Sequence, residues 1–292
     1  HSAFSCCVIR GGGDALPSAR GLGLSPPTAW PDALLPCYTS CLCVAQQEED
    51  GVSRKAVQFG AGNIGRGFLG QLFYESGYET TFVDVVAPLV HALQTRASYP
   101  LRIVGEQTKT VSIGNVTALN ASDIEAVATA LAESDVAATA VGVNVLPKVA
   151  PLIAAGIVRR FGYPDAPELN VIVCENMLQA GAFLRKEVQQ HLPEKLHEVL
   201  HAHVGFIDAS IGRMAPTMTA EQRAEDPLLV CVEPYCELPV DATGFKGPIP
   251  ALEHMAPREN FGAYVERKLF VHNAGHATAA YLGYLQGHEY TW

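Results

Sequence analysis

No stretch of this 292-residue chain reaches the roughly 18 uninterrupted apolar residues of a membrane-spanning helix. A chain that is 48% hydrophobic and only 17% charged must instead bury its apolar residues in a sizeable globular core. Positive charge is scarce as well: 20 Lys and Arg stand against 30 Asp and Glu, a formal net charge of -10. Such a surface has no general affinity for nucleic-acid backbones or anionic membranes. The expected partner is therefore a small molecule, and any anionic substrate must be gripped by a few local basic groups. Zinc-site spacing of Cys and His is also missing from the core region. Five of the eight cysteines (Cys6, Cys7, Cys37, Cys41, Cys43) come before residue 44, and the trio Cys37, Cys41 and Cys43 has no matching Cys or His cluster beside it. They read as free thiols. The first residue is His rather than Met, as in a fragment or a processed chain.

Residues 1–53 have no sustained hydrophobic period. They carry Gly11-Gly12-Gly13, Pro26-Pro27, Pro31 and Pro36, and they end in the polar run Gln46 to Gly51. That composition predicts a disordered leader or extension. From residue 54 the texture changes. Ala56–Phe59, Thr80–Asp84, Asp135–Val141 and Val171–Cys174 read as buried strands, and Asn63–Ser76 and Leu146–Arg160 have helical apolar spacing. Pro88 opens a second helix, and Ser122-Asp123-Ile124-Glu125 reads as a capping box for another. Leu101–Val104 with Thr110–Leu119 predicts a β-hairpin insertion, and Leu229–Glu233 with Glu237–Val240 an antiparallel pair. From Asn260 onward the pattern is helical, and it stops at Trp292 inside unfinished helical structure. Strands alternating with helices predict an α/β fold built on a parallel sheet with right-handed crossovers.

Gly60-Ala61-Gly62-Asn63-Ile64-Gly65 fits G-x-G-x-x-G. Alone the pattern is weak. Here it follows one strand, opens a helix and precedes a second strand that ends in an acid, Asp84, 19 residues after Gly65. That context makes it a credible dinucleotide fingerprint. Gly60 permits the tight turn, Gly62 lets the backbone approach a pyrophosphate, and Gly65 lets the helix sit close to the sheet. The helix N-terminus adds free N–H groups and about half a positive charge. Asp84 is placed to accept from ribose hydroxyls and to repel a 2′-phosphate, which favours NAD over NADP. Gly142 is either a second point of close approach to the cofactor or a plain turn glycine.

Lys268, Asn273 and His276 fall on one side of the late helix: at about 100° per residue, Asn273 lies about 140° and His276 about 80° from Lys268. They form either a solvated stripe or an inward-facing constellation. In the second case a lysine whose pKa burial lowers can act as general base on an alcohol, with amides holding the oxygen. Asn176, directly after the Val171–Cys174 strand, is placed to line the ligand crevice, or alternatively to cap the next helix.

The segments Phe59–Phe68, Cys174-Glu175-Asn176-Met177 and Val265–Phe270 with Asn273 and Gly275-His276-Ala277 resemble the polyol-specific long-chain dehydrogenase/reductase family. The likeness runs from about residue 54 to 292. It implies a Rossmann domain over 54–246 and the start of a mostly helical substrate domain over 247–292, which family members continue beyond this point. It implies metal-free hydride transfer between NAD and a sugar-phosphate substrate, interconverting mannitol 1-phosphate and fructose 6-phosphate. Lys268 would be the general acid/base, Asn176 and Asn273 the oxygen cradle, and His276 an orienter of a substrate hydroxyl. Arg213 matches a substrate-binding basic residue, although Gly212 stands where the family has an acid. A cytoplasmic protein, monomeric or weakly self-associating, is expected. Two other readings remain open: a related polyol or uronate dehydrogenase acting on an unphosphorylated substrate, and a dinucleotide-binding protein without turnover.

Overall fold

The computed structural model describes residues 53–288, apart from 164 and 217. The leader and its five cysteines lie outside the described residues. Strand β1 (Arg54–Phe59) runs into the glycine turn and a helix that begins at residue 63. That helix takes a π-helical form over Gly65–Leu69 and finishes as α1 (Gly70–Glu75). After β2 (Tyr78–Asp84), Pro88 sits in the first turn of α2 (Ala87–Arg96), where its missing N–H forfeits no helical bond. Then come β3 (Tyr99–Ile103), β4 (Lys109–Ile113), β5 (Val116–Asn120) and α3 (Ile124–Glu133). The middle of the chain supplies β6 (Val136–Thr139), α4 (Leu146–Arg160), β7 (Leu169–Val173), α5 (Ala180–Gln190), α6 (His197–His203) and β8 (Val204–Asp208). Beyond it lie α7 (Ala220–Glu225), β9 (Val230–Val232), β10 (Leu238–Asp241) and β11 (Met255–Arg258). The last helix begins as α8 (Phe261–Arg267), passes through a π-helical stretch at Lys268–Asn273 and continues as α9 (Ala274–Leu285). Among the described residues, no helix is long and apolar enough to cross a membrane.

Six strands form one parallel sheet in the order β5-β2-β1-β6-β7-β8. The chain builds outward from β1 through β2 and β5, then returns to the other side of β1 for β6, β7 and β8. Between β1 and β6, successive connections leave in opposite directions, which opens a crevice beyond the carboxyl ends of the strands. This is a Rossmann-type α/β fold, as the alternation of strands and helices predicts. Both sheet faces are covered, so the central strands have no polar side to show. In β7, Leu169, Val171 and Val173 enter one core with α3, α4 and α5, while Ile172 enters the other with Phe68, Leu72 and Phe73. That is why these strands appear in the sequence as continuous apolar runs.

Three local expectations need correction. The run Thr110–Leu119 is two strands. Asn115 adopts a left-handed conformation (φ 53°) and turns the chain, so β4 pairs antiparallel with β3 while β5 joins the main sheet beside β2. The cap of α3 is Asp123, whose side chain accepts from Ala126 N–H at 3.1 Å; Ser122 instead donates to Asn120. Finally, β9 and β10 are not partners: β9 runs parallel to β3, and β10 runs parallel to β11.

The helical layer over the sheet is tight where α4 crosses α3. A Cβ on Gly156 would fall 2.5 Å from the nearest methyl of Leu131 and 2.8 Å from its Cβ. Gly156→Ala is therefore expected to destabilise the fold by about 1–3 kcal/mol through overpacking, despite alanine's better helix propensity. Urea denaturation checks this; unchanged or increased stability would show that the two helices can part without cost.

Candidate functional site

The site is built where loops from β1, β6 and β7 meet at the switch in strand order. Gly60 closes the turn after β1 at φ +91°, a value that favours glycine, and its N–H donates to Val83 O at 2.8 Å. A Cβ here would lie 2.5 Å from the carbonyl oxygen of Ala140. A Cβ on Gly65 would sit 1.9 Å from the carbonyl oxygen of Gly60, so the helix can approach the turn only as glycine. Gly62 differs: it is exposed, and nothing lies within 4 Å of where its Cβ would be. Two of the three glycines thus permit contact within the protein, and the third leaves open space. Asp84 is drawn to the same turn, its Oδ2 accepting from Ala61 N–H at 2.8 Å and its Oδ1 from Val86 N–H at 3.0 Å. Asn63 donates to Pro216 O at 3.3 Å.

Beside the turn, Arg66 is buried and spends its donors on backbone. Nε donates to Ala61 O at 2.6 Å and Nη1 to Leu228 O, while its own carbonyl accepts from Tyr99 Oη–H. Burial lowers its pKa from the usual arginine value, partly offset by Tyr99 and Asp84. These bonds hold the glycine turn to the segment leading into β9.

A cavity of about 340 Å³ opens next to this turn, within the size range of small-molecule sites. Ile64 comes from the first helix, Ala140, Gly142 and Val143 from the end of β6, Cys174, Glu175 and Asn176 from the end of β7, and Ile211 and Lys268 from later segments. Gly142 has φ +92° and open space at its Cβ position. Lys268 Nζ reaches Asn176 Oδ1 at 3.5 Å, at the limit of a hydrogen bond. Burial lowers the Lys268 pKa below the ordinary lysine value.

The helix carrying Lys268 contributes less to the cavity than its spacing predicts. Asn273 and His276 do not line it. Both are half-buried, and the His276 ring lies 4.4 Å from the ring of His272. The Lys268–Asn273 stretch is π-helical, so its turn is wider than the α-helix assumed from sequence and the residues after Lys268 are aimed differently. His272, which spacing did not single out, has its pKa lowered by burial and then by the charges of His276 and Lys268, with Glu233 opposing.

Arg213 stands apart from the cavity. It is 3% exposed and does not line the cavity. Its Nε donates to Glu233 O at 3.0 Å, and its Nη1 to Gly67 O at 3.1 Å and Gln71 Oε1 at 2.7 Å. Its guanidinium also lies over Phe68, 5.7 Å from the ring centroid. It ties the 211–216 segment to the first helix rather than facing a ligand. Gly212 has a local reason too, since a Cβ there would lie 2.9 Å from Tyr235 Cε1.

Sequence reasoning missed Glu175. Its carboxylate is 7% exposed and accepts Val141 N–H at Oε1 and Gly142 N–H at Oε2, both at 2.9 Å. Burial raises its pKa, and those two N–H groups oppose the rise. An acid placed directly after the apolar run Val171–Cys174 was the available signal.

The sheet order, the glycine turn and the crevice beyond it define a Rossmann domain of the nucleotide-binding type. The chain belongs to the mannitol dehydrogenase family: residues 54–254 match that family's Rossmann domain. Solved structures to which the chain is similar include D-mandelate dehydrogenase with NADH and anilino(oxo)acetate (17% identity, TM-score 0.42, 64% of this chain and 47% of that one). Octopine dehydrogenase with NADH and L-arginine matches at 13% identity and TM-score 0.48, over 72% of this chain and 49% of that one. A UDP-glucose dehydrogenase from Pyrobaculum islandicum matches at 12% identity and TM-score 0.40, over 68% and 42%. The chain spans about half the length of these proteins.

Arg213→Ala removes a buried cation and strands the carbonyls it serves. A loss of about 2–4 kcal/mol in stability is expected, with little change in the affinity of the folded protein for small molecules. Denaturant melts alongside ligand titrations check this. Unaltered stability with weakened substrate binding would restore Arg213 as a substrate contact.

Proposed function

We propose that this chain carries the dinucleotide-binding and proton-transfer groups of an NAD-dependent polyol dehydrogenase that interconverts D-mannitol 1-phosphate and D-fructose 6-phosphate. The observation that carries the proposal is the meeting of Lys268 and Asn176 across a cavity at the mouth of the glycine turn. The residues present suit a dinucleotide. The backbone is open at Gly62 and Gly142, and Asp84 stands at the rim of the turn with unused lone pairs for ribose hydroxyls. An acid in that place favours NAD over its 2′-phosphorylated form. When bound, NAD supplies the acceptor for the two electrons leaving the alcohol carbon.

The proton is the protein's task. Lys268, pushed toward its neutral form by burial, takes the proton of the substrate hydroxyl during oxidation and returns it during reduction. Asn176 directs its amide oxygen at Lys268, which leaves its N–H groups free to hold the substrate oxygen as charge develops on it. No metal is invoked in these steps. The proposal gives Asn273 and His276 the lesser tasks of supporting that oxygen and orienting a neighbouring hydroxyl. The position of Arg213 favours a second reading, a polyol without phosphate, because it removes one cation that would have met a phosphate.

Lys268→Ala is expected to lower turnover by about 10²–10⁴-fold while NAD affinity stays within a few-fold. In the wild type, oxidation needs the neutral amine. Its rate should therefore rise with pH and level off below the ordinary lysine pKa, whereas reduction should fall over the same range. Comparing fructose 6-phosphate with free fructose in the reducing direction decides the substrate. Faster use of free fructose selects the unphosphorylated reading, and no NADH consumption with any ketose refutes an enzymatic role.

A further inference from the structure

Among the residues lining the cavity, Glu175 is the one carboxylate, and the chemistry proposed above leaves it without a task. Two consecutive backbone amides fix it: Val141 N–H donates to Oε1 and Gly142 N–H to Oε2, each at 2.9 Å. This geometry suits the ionised group, which accepts at both oxygens and has no proton to place. A side chain held at both oxygens does not swing away when the cavity fills. At 7% exposure it is also poorly screened by water, so its field reaches further into the cavity than that of a surface acid. Lys268, the cation on the same wall, is pushed toward neutrality by burial and offsets that field only in part.

The nicotinamide ring carries a positive charge when oxidised and none when reduced. We propose that Glu175 sets the cofactor preference of this site: its carboxylate, pinned beneath the Val141–Gly142 turn, favours the cationic oxidised dinucleotide over the neutral reduced one. This rests on the nicotinamide end lying in the cavity, as in the proposed function. The effect needs no direct contact with the ring, only a fixed charge in a wall of low polarisability.

The test is a pair of dissociation constants for the full chain, NAD by calorimetry and NADH by its fluorescence. In Glu175→Gln, which keeps the side-chain shape but removes the charge and leaves one of the two N–H groups facing an NH2, the ratio Kd(NAD)/Kd(NADH) is expected to rise on the order of tenfold, mainly through weaker NAD binding. A purely structural strut would change both constants by the same factor, and that outcome overturns the proposal, as does an unchanged pair. A second measurement does not depend on that variant folding. The ionisable groups lining the cavity beside Glu175 are Lys268 and the Cys174 thiol, whose pKa burial raises far above neutrality. In Lys268→Ala, lowering the pH until Glu175 takes up its proton should raise the ratio as the glutamine does. A flat ratio there overturns the proposal. If neither form of the cofactor binds, the placement of the nicotinamide itself fails and the proposal falls with it, an outcome distinct from equal changes in both constants.

Discussion

The structure depends on one close approach of backbone to backbone. The carbonyl oxygen of Gly60 occupies the place where a side chain on residue 65 would begin, and Gly60 is itself pressed against the carbonyl of Ala140. Three segments, the end of β1, the first helix and the end of β6, therefore converge without a side chain between them. This convergence brings the end of β6 beside the first helix, and both help to line the cavity, the one through Ala140, Gly142 and Val143 and the other through Ile64. It also explains why two glycines of the fingerprint are structural necessities while Gly62, with free space before it, is the one through which a ligand can come near.

Around that convergence the protein repeatedly buries a charge and ties it to backbone. Arg66 fastens the turn to the segment before β9, Arg213 fastens the 211–216 segment to the first helix, and Glu175 fastens the end of β6 to the end of β7. Arg160 does the same at the far end of α4, donating to the carbonyls of Ala132, Ser134, Pro167 and Glu168. A buried ion costs much less when its polar atoms meet partners, a condition Arg213 meets only in part, since its Nη2 is buried without one. Such ties hold loops in fixed places, which a hydrophobic contact of the same size would do less sharply. The acidic overall balance of the chain thus conceals a set of internal arginines that are unavailable for binding anions.

Much of this was legible in the sequence, for reasons that differ from element to element. The bounds of α4 could be read directly, because Pro147 near its start and the apolar period through Ile157 both act locally. The glycine turn and Asp84 could be read because the fingerprint encodes contacts within one β-α-β unit. The split at Asn115 was passed over although Gly114-Asn115 is a turn pair and the apolar alternation shifts phase there, from Val111 and Ile113 to Val116 and Ala118. The partners of β9 and β10 were hidden because strand pairing is decided by residues far away in the chain. The surroundings of Arg213 were hidden because a basic residue in a matched segment looks the same whether it faces a ligand or a layer of carbonyls. Glu175 was passed over because its importance comes from the amides of Val141 and Gly142, more than thirty positions earlier.

The site divides its tasks between elements of unequal firmness. The parts that would hold a dinucleotide stand on strands of the main sheet, whose side chains are buried on both faces. Lys268 stands on a helix that is more loosely covered: Phe270 is 75% and Val271 67% exposed, and no residue from Gly262 to Leu285 is fully buried. The lowered pKa of Lys268 comes from desolvation alone. It is therefore a property of how that helix is seated rather than of a paired charge. In the proposed chemistry, binding and proton transfer are in this sense separable: the first would be fixed by the sheet, and the second tuned by the packing of one helix against it.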